Sequence, residues 1–456
     1  MNSRQIMKCV FKSQRVSVLA MIVCLQSFLG FAQQSSTDSV VVDLNKAIEI
    51  ALNESPTVRI ANRDIQTKKY TKAEQITALV PNAALSASYN RTLKKQVMTM
   101  DFMGKAMEIE VGTDNNYNAG LVFSMPIINS ALWNSIQLSQ LSIEAAFESA
   151  RASKLSLVAE VKKAYYGMLL AKEMYNVLLK NYDNVALTYE TVLNKYKVGM
   201  ASEFEKLRAE VQLKNQKPQL LSAKSNMELA TMMLKVMIGL EVNEAVKFTG
   251  ELSDYENAIA VDKLLAADSI DLSNNSQLLQ IALSEKQLKK SKDIIISSAC
   301  PSLNLSGNYQ YMTMNNDFKF ADYKWHPYSM IGLTLTVPII SWAGTAYKIK
   351  TSNLAIENIK DQRLALERNL KISLNNAGIN IANAMEQLAS NKETMLQAET
   401  TYNISLKQYE IGMGTWLDLQ SAEMALVSAK LAYNQSIYSY LTAYAELDKI
   451  IGKEYK

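Results

Sequence analysis

Along one stretch of the chain, apolar positions recur at alternating steps of four and three without a miss. They are Leu157, Val161, Ala164, Met168, Ala171, Tyr175, Leu178, Tyr182, Val185, Tyr189, Val192 and Tyr196. This is the spacing of a coiled-coil seam. The same register returns 213 positions later, from Tyr196 to Tyr409. There it reads Leu370, Leu374, Ala377, Ile381, Ala384, Leu388, Asn391, Met395, Ala398, Tyr402, Ser405 and Tyr409, with Asn391 and Ser405 as polar breaks. A seam this long demands a neighbouring helix of matching length, and its period predicts a left-handed supercoil.

Each seam runs into a short turn. The first reads Tyr196-Lys197-Val198-Gly199-Met200-Ala201-Ser202-Glu203-Phe204-Glu205; the second reads Tyr409-Glu410-Ile411-Gly412-Met413-Gly414-Thr415-Trp416-Leu417-Asp418. Glycine just past a helix end tolerates the left-handed conformation. Ser202 and Thr415 then stand as N-caps, with Glu205 and Asp418 three residues on, in capping-box position. Two tight helix-turn-helix hairpins are predicted.

The rest of the pattern also runs twice. Leu44 to about Leu79 is helical, interrupted at Asn53-Glu54-Ser55-Pro56 and ended by Pro81. Strict alternation follows: Ala83, Leu85, Ala87 and Tyr89 against Ala84, Ser86, Ser88 and Asn90. After a polar loop, Arg91 to Asn116, it resumes as Ala119, Leu121, Phe123 and Met125 against Asn118, Gly120, Val122 and Ser124, closing at Pro126. Period two with one apolar face is a half-buried strand. A helix from about Ser130 to Tyr196 is predicted, roughly 100 Å long at its rise per residue. A second runs from Ser202 to about Ile238, bent at Pro218 and stopped by Gly239. Residues 240–262 read as a small connecting patch.

In the second half Asn274-Asn275-Ser276 echoes residues 53–55, and Pro301 echoes Pro81. Leu303, Leu305, Gly307, Tyr309 and Tyr311 alternate with Asn304, Ser306, Asn308 and Gln310. Ile331, Leu333, Leu335 and Val337 alternate with Gly332, Thr334 and Thr336 up to Pro338. Helices from about Ser341 to Tyr409 and from Ala422 to Ile451 complete the plan, with Gly452 matching Gly239. The expected organisation is a segment 1–32, a first repeat over 33–250, opening on a disordered start at 33–43, and a second repeat over 251–456.

Composition changes this picture at one end. Arg4, Lys8, Lys12 and Arg15 precede an apolar run from Val16 to Phe31, and Ala32 is followed by Gln33-Gln34-Ser35-Ser36. Segment 1–32 reads as a secretory signal peptide cleaved near Ala32. Its four basic residues account for the whole excess of 48 basic over 44 acidic residues. The mature chain is therefore neutral and gives no sign of a nucleic-acid partner. Cys9 and Cys24 leave with the segment, and Cys300 alone cannot form an internal disulfide. The chain has only 7 prolines and 15 glycines, which favours long helices.

Candidate chemistry is sparse. No His, Cys and carboxylate cluster has metal-ligand spacing. His326, the one histidine, falls in an expected surface loop. Gly412-Met413-Gly414 follows a helix and not a strand, so it is no phosphate loop. No nucleophile stands beside a base. No enzyme and no cofactor are expected.

Four strands of about ten residues fit a transmembrane β-barrel, whose crossings take about 9–11. Tyr89, Tyr117, Tyr309, Tyr311, Trp325 and Tyr328 near one end, and Trp133 and Trp342 at the other, suit interfacial girdles. A soluble sheet packed on helices fits the alternation too; the signal segment agrees with the membrane. Four strands cannot close a membrane barrel, since about 8 is the smallest bacterial number, and open edges do not survive in lipid. The strands and the seams alike demand copies of the chain.

This order resembles the TolC family of outer-membrane efflux proteins. The two turns, Asp418, and the strand exits Met125-Pro126-Ile127-Ile128 and Val337-Pro338-Ile339-Ile340 carry the resemblance, from about Leu44 to Gly452. It implies a mainly α fold with β: a homotrimer whose twelve strands, four per chain, form an outer-membrane barrel in lipid, above a periplasmic tunnel of antiparallel coiled-coil helices. It implies that Gly199, Met200, Ala201, Gly412, Met413 and Gly414 lie at the tunnel tip, meeting a periplasmic adaptor and an inner-membrane transporter. In that family, acidic residues after the second turn line the aperture. Asp418 holds the first such position; Ser421 holds the second, against the pattern, and Glu205 sits at the equivalent place after the first turn. The implied function is a passive exit duct for drugs, other toxic compounds or secreted polypeptide. The alternative is a coiled-coil envelope protein that tethers and does not transport.

Overall fold

The computed structural model describes residues 40–102, 105–256, 271–339 and 342–455. The segment 1–32, the rest of the expected disordered start up to residue 39, residues 257–262 of the connecting patch, Ile340, Ser341 and the side chain of Trp342 lie outside them.

One small unit is a parallel ladder between β1 (Val40–Val42) and β6 (Val246–Phe248), extended by Thr249 N–H donating to the Val42 carbonyl at 3.1 Å. This corrects the reading of 40–43 as disordered. Three-residue strands two hundred positions apart leave no periodic signal.

The large unit carries the rest. Helices α1 (Leu44–Glu54) and α2 (Pro56–Thr77) are split where Pro56 opens α2. Then come β2 (Asn82–Arg91), β3 (Gln96–Phe102), β4 (Lys105–Val111) and β5 (Asn115–Ile128). The expected polar loop is thus largely a hairpin, with β3 and β4 paired antiparallel from Gln96 opposite Val111. Helix α3 (Ser130–Lys197) leads to α4 (Glu203–Ile238), which runs on through Pro218. A 3-10 turn follows at Leu252–Tyr255. The second half supplies α5 (Ser276–Ser297), β7 (Ser302–Asn315), β8 (His326–Thr336), α6 (Trp342–Glu410) and α7 (Trp416–Ile451). His326 is the first residue of β8 and not a loop residue, and α7 begins at Trp416, six residues before the expected start.

Strands β2, β5, β7 and β8 form one antiparallel sheet in that order. Its register aligns the alternation of all four strands. Ala83 stands opposite Phe123, Phe123 opposite Gly307, and Gly307 opposite Ile331. Leu85 stands opposite Leu121, and Leu305 opposite Leu333. The other face carries Ser86, Ser88, Asn118, Asn304, Ser306, Asn308, Gln310 and Thr334. Strands β2 and β8 are exposed along nearly their whole length. Leu85 is 80% exposed, Ile331 71% and Leu333 64%, so the apolar face meets no layer of the chain.

Strand β5 does not close at Pro126. It pairs Pro126 with Asn304, shifts register, and ends at Ile128. On its other side β2 starts pairing only at Ser124, so the missing N–H of Pro126 breaks no ladder there. Strand β8 ends at Thr336, before Pro338.

Both seams are real packing stripes. On α6, Leu370, Leu374, Ala377, Ile381, Ala384, Leu388, Tyr402 and Tyr409 are buried while the flanking faces are largely exposed. The polar break Asn391 donates to the Ala432 carbonyl of α7 at 3.3 Å. Helix α3 packs on α2, α4, α5 and α7; α6 packs on α5 and α7. Gly239 and Gly452, both left-handed, end α4 and α7 against the Glu54 and Asn274 carbonyls, where an added Cβ would stand at 2.8 and 2.4 Å.

Candidate functional site

The two turns are built by the same bonds. After α3, Gly199 takes φ +76°; its N–H donates to the Tyr196 carbonyl and that of Met200 to Lys195, at 3.0 and 2.8 Å. After α6, Gly412 takes φ +78°; its N–H donates to Tyr409 and that of Met413 to Gln408, at 3.2 and 2.8 Å. This pair of bonds is the Schellman motif, which satisfies carbonyls that a helix end leaves free. Gly414 N–H adds a bond to Gln408 at 3.0 Å.

Capping boxes then start the return helices. Ser202 Oγ accepts from Glu205 N–H at 3.2 Å, and the Glu205 carboxylate accepts from Ser202 N–H at 2.9 Å. Thr415 Oγ1 accepts from Asp418 N–H at 3.2 Å, and Asp418 accepts from Thr415 N–H at 3.2 Å and from its hydroxyl at 2.6 Å. The Thr415 hydroxyl, and then its backbone N–H, hold the Asp418 carboxyl below its ordinary pKa of 3.8. Asp418 is an anion at neutral pH.

The hairpins pack side by side. Val192 and Ala209 of the first and Tyr402, Tyr409, Trp416, Leu419, Ala422 and Leu426 of the second form one buried cluster, with Ala201 packed against it. Lys195 crosses between them: its Nζ donates to the Tyr409 carbonyl at 2.7 Å and lies 4.1 Å from the Tyr409 ring centroid. The Arg208 guanidinium lies 5.4 Å from the Phe204 ring and 5.1 Å from the Trp416 ring. Gln420 donates to Gln212 at 2.7 Å.

Beyond this core the tip shows apolar surface: Met200 is 79% exposed, Met413 81%, Val198 70% and Ile411 68%. The structure thus brings Gly199, Met200, Ala201, Ser202 and Glu205 together with Gly412, Met413, Gly414, Thr415 and Asp418. Pro126 and Pro338 lie away from them, at the sheet. Lys195, Arg208 and Glu423 escaped the sequence reading. Glu423 carried a signal, being a charge on the buried stripe of α7.

The model of the outer membrane efflux protein family matches residues 47–240 and 269–453. The chain belongs to this family. Outer membrane protein TolC of Vibrio cholerae is 20% identical over 400 residues, covering 86% of each chain. Cobalt-zinc-cadmium resistance protein CzcC of Cupriavidus metallidurans is 22% identical over 298 residues, 65% of this chain and 67% of CzcC. The open state of the MtrE outer membrane channel of Neisseria gonorrhoeae superposes with a TM-score of 0.70 at 19% identity, covering 90% of this chain and 88% of MtrE. This outer-membrane efflux protein has the TolC-like chain fold and serves as an exit duct, with a periplasmic extension. The tether alternative is set aside.

Proposed function

We propose that three copies of this chain close a twelve-stranded barrel in the outer membrane and a helical tunnel beneath it. The duct is passive: a periplasmic adaptor and an inner-membrane transporter deliver cargo and energy, and the chain performs no catalysis. One observation carries this reading. The register of a four-stranded sheet puts every apolar set on one exposed face and leaves β2 and β8 as open edges. Lipid suits that face, and only pairing between copies removes those edges. Among the described residues no helix is long and apolar enough to cross a membrane.

The helices support the same closure. Leu207, Val211, Leu221, Leu229 and Val236 on α4, and Ile372, Ile379, Leu396 and Ile404 on α6, are exposed apolar positions outside the seams. They suit neighbouring copies. Tyr89 and Tyr117, stacked at 4.7 Å, with Phe320 and Tyr323 around them, suit the distal membrane interface.

At the tip, Asp418 and Glu205 line the aperture, held by Thr415 and Ser202. Gly199, Met200, Ala201, Gly412, Met413 and Gly414 form the surface that the adaptor covers. Pro126 and Pro338 mark the passages from barrel to tunnel. The two structural repeats span 33–250 and 251–456, after a signal peptide over 1–32. The cargo class spans drugs, metal ions and secreted polypeptide, since the partners choose it.

Purified protein in a planar bilayer, with its mass measured in the same detergent, tests the reading. A trimer with discrete conductance steps is expected. A monomer that fails to insert overturns the shared barrel.

A further inference from the structure

Glu423 sits on α7 among Trp416, Leu419, Ala422 and Leu426, and is only 5% exposed. It lines a cavity of about 10 Å³ whose other walls are Val185 and Thr188 of α3, Ala209 and Gln212 of α4, and Trp416, Leu419 and Gln420 of α7. Both hairpins therefore contribute walls. Glu423 Oε1 and Gln420 Oε1 are buried there without a hydrogen-bond partner among the described residues. One N–H of the Gln420 amide donates to Gln212, and neither reaches Glu423 Oε1. Two orphan acceptors share one cavity, and neither can serve the other.

Among the described residues no cation answers the carboxyl. On α4, Arg208 lies over the Phe204 and Trp416 rings, and Glu210 pairs with Lys214. On α7, Lys430 pairs with Glu399 of α6. From α3, Lys195 is bound at Tyr409, and Tyr189 packs on the cluster. From α6, Tyr402 is the titratable group within reach; burial first, then the charges of Glu423 and Glu410, push its hydroxyl up. A single proton resolves the arrangement. It turns the Glu423 carboxyl into a neutral donor and leaves no unpaired charge in the cavity, where such a charge is costly.

We propose that Glu423 is a proton-operated latch between the two hairpins: it keeps a proton while α3, α4 and α7 enclose it, and releases that proton to water when the hairpins part. Burial alone pushes its pKa from 4.5 to about 7, which agrees with the geometry. The folded value is the raised one. The latch is therefore fully engaged below pH 4.5 and is lost as pH rises through 7. Parting the hairpins becomes easier by up to about tenfold per pH unit across that window and levels off above it. Its effect on conduction rests on the exit-duct reading.

The test records the duct in planar bilayers from pH 5 to 8, as wild type and as Glu423→Gln, alongside infrared titration of the wild-type carboxyls. The amide keeps the shape of the protonated carboxyl and supplies a permanent donor, so Glu423→Gln should hold its acid-side conductance at every pH while wild type rises toward pH 7. The infrared spectrum should show one protonated carboxyl lost near pH 7 that Glu423→Gln lacks. A variant that follows the wild-type pH curve, or no such carboxyl in the spectrum, overturns the latch. If neither protein conducts at any pH, the exit-duct reading fails, and the infrared titration still decides the latch.

Discussion

Replacing Lys195 by Met should loosen the second turn, although Lys195 belongs to the first hairpin. Its ammonium donates to the Tyr409 carbonyl at 2.7 Å and lies 4.1 Å from that residue's ring centroid. Tyr409 lies in the last turn of α6, so the ammonium also faces the negative end of the helix dipole. A hydrogen bond from a charged donor contributes about 1.5 kcal/mol at the low end, the choice for a half-buried group. The cation–ring contact adds about 0.5 kcal/mol. Together about 2 kcal/mol is lost, roughly a 30-fold shift between packed and parted hairpins. Methionine keeps the aliphatic stem, so packing of the Val192 cluster is spared.

Amide hydrogen exchange reads this directly. The N–H groups of Ile411, Gly412, Met413 and Gly414 bond to Lys407, Tyr409, Gln408 and Gln408. They open when the end of α6 frays, so Lys195→Met should speed their exchange by roughly the same 30-fold. Lys195→Arg keeps the charge and should stay near wild type. Unchanged exchange in Lys195→Met would show that water screens the link, and the argument for a joined tip would fail.

Gly412→Ala places a Cβ in open space but at φ +78°; it should cost about 1 kcal/mol of local stability, seen as faster exchange confined to the second turn, and equal protection would refute the strain. Gly120→Val should prevent assembly, because even a Cβ at Gly120 would lie 2.3 Å from Gln310 Cα and from the Tyr309 carbonyl on β7; an unheated gel should lose the folded oligomer, and a normal oligomer band would contradict the β5–β7 register. Asp418→Asn removes an anion that its cap holds ionised; the duct's cation preference should fall, and unchanged selectivity would remove Asp418 from the aperture. In the wild type that preference should persist through neutral pH and fade only as acid protonates Asp418, since its pKa is lowered.

What the sequence disclosed follows the range of the forces involved. The Schellman bonds at Gly199 and Gly412 and the boxes at Ser202–Glu205 and Thr415–Asp418 close within a few residues, so residue types at fixed offsets were enough to find them. The seam was legible because one period governs the whole run from Leu157 to Tyr196. The hairpin β3–β4 was missed because Lys94, Lys95, Asp101, Glu108 and Glu110 give its segment a loop-like composition, which masked the alternation of Met107, Ile109 and Val111 with the two glutamates. Lys195 and Glu423 act across a contact between hairpins more than two hundred residues apart; no local pattern marks Lys195, and only a charge on the apolar stripe of α7 marks Glu423.

The same contrast bears on how the tip works. Its turns are closed by bonds internal to each hairpin, so parting the hairpins loosens the end of α6 but leaves each turn its own set of bonds. Lys195, the Arg208–Trp416 contact, the Gln212–Gln420 pair, the buried cluster and the cavity around Glu423 tie one hairpin to the other among the described residues of the tip. Two rigid, self-capped hairpins joined by a few cross-links can part as bodies without unravelling. An exit duct that must widen at its tip requires that property, and it places control of opening in the cross-links, not in the glycines.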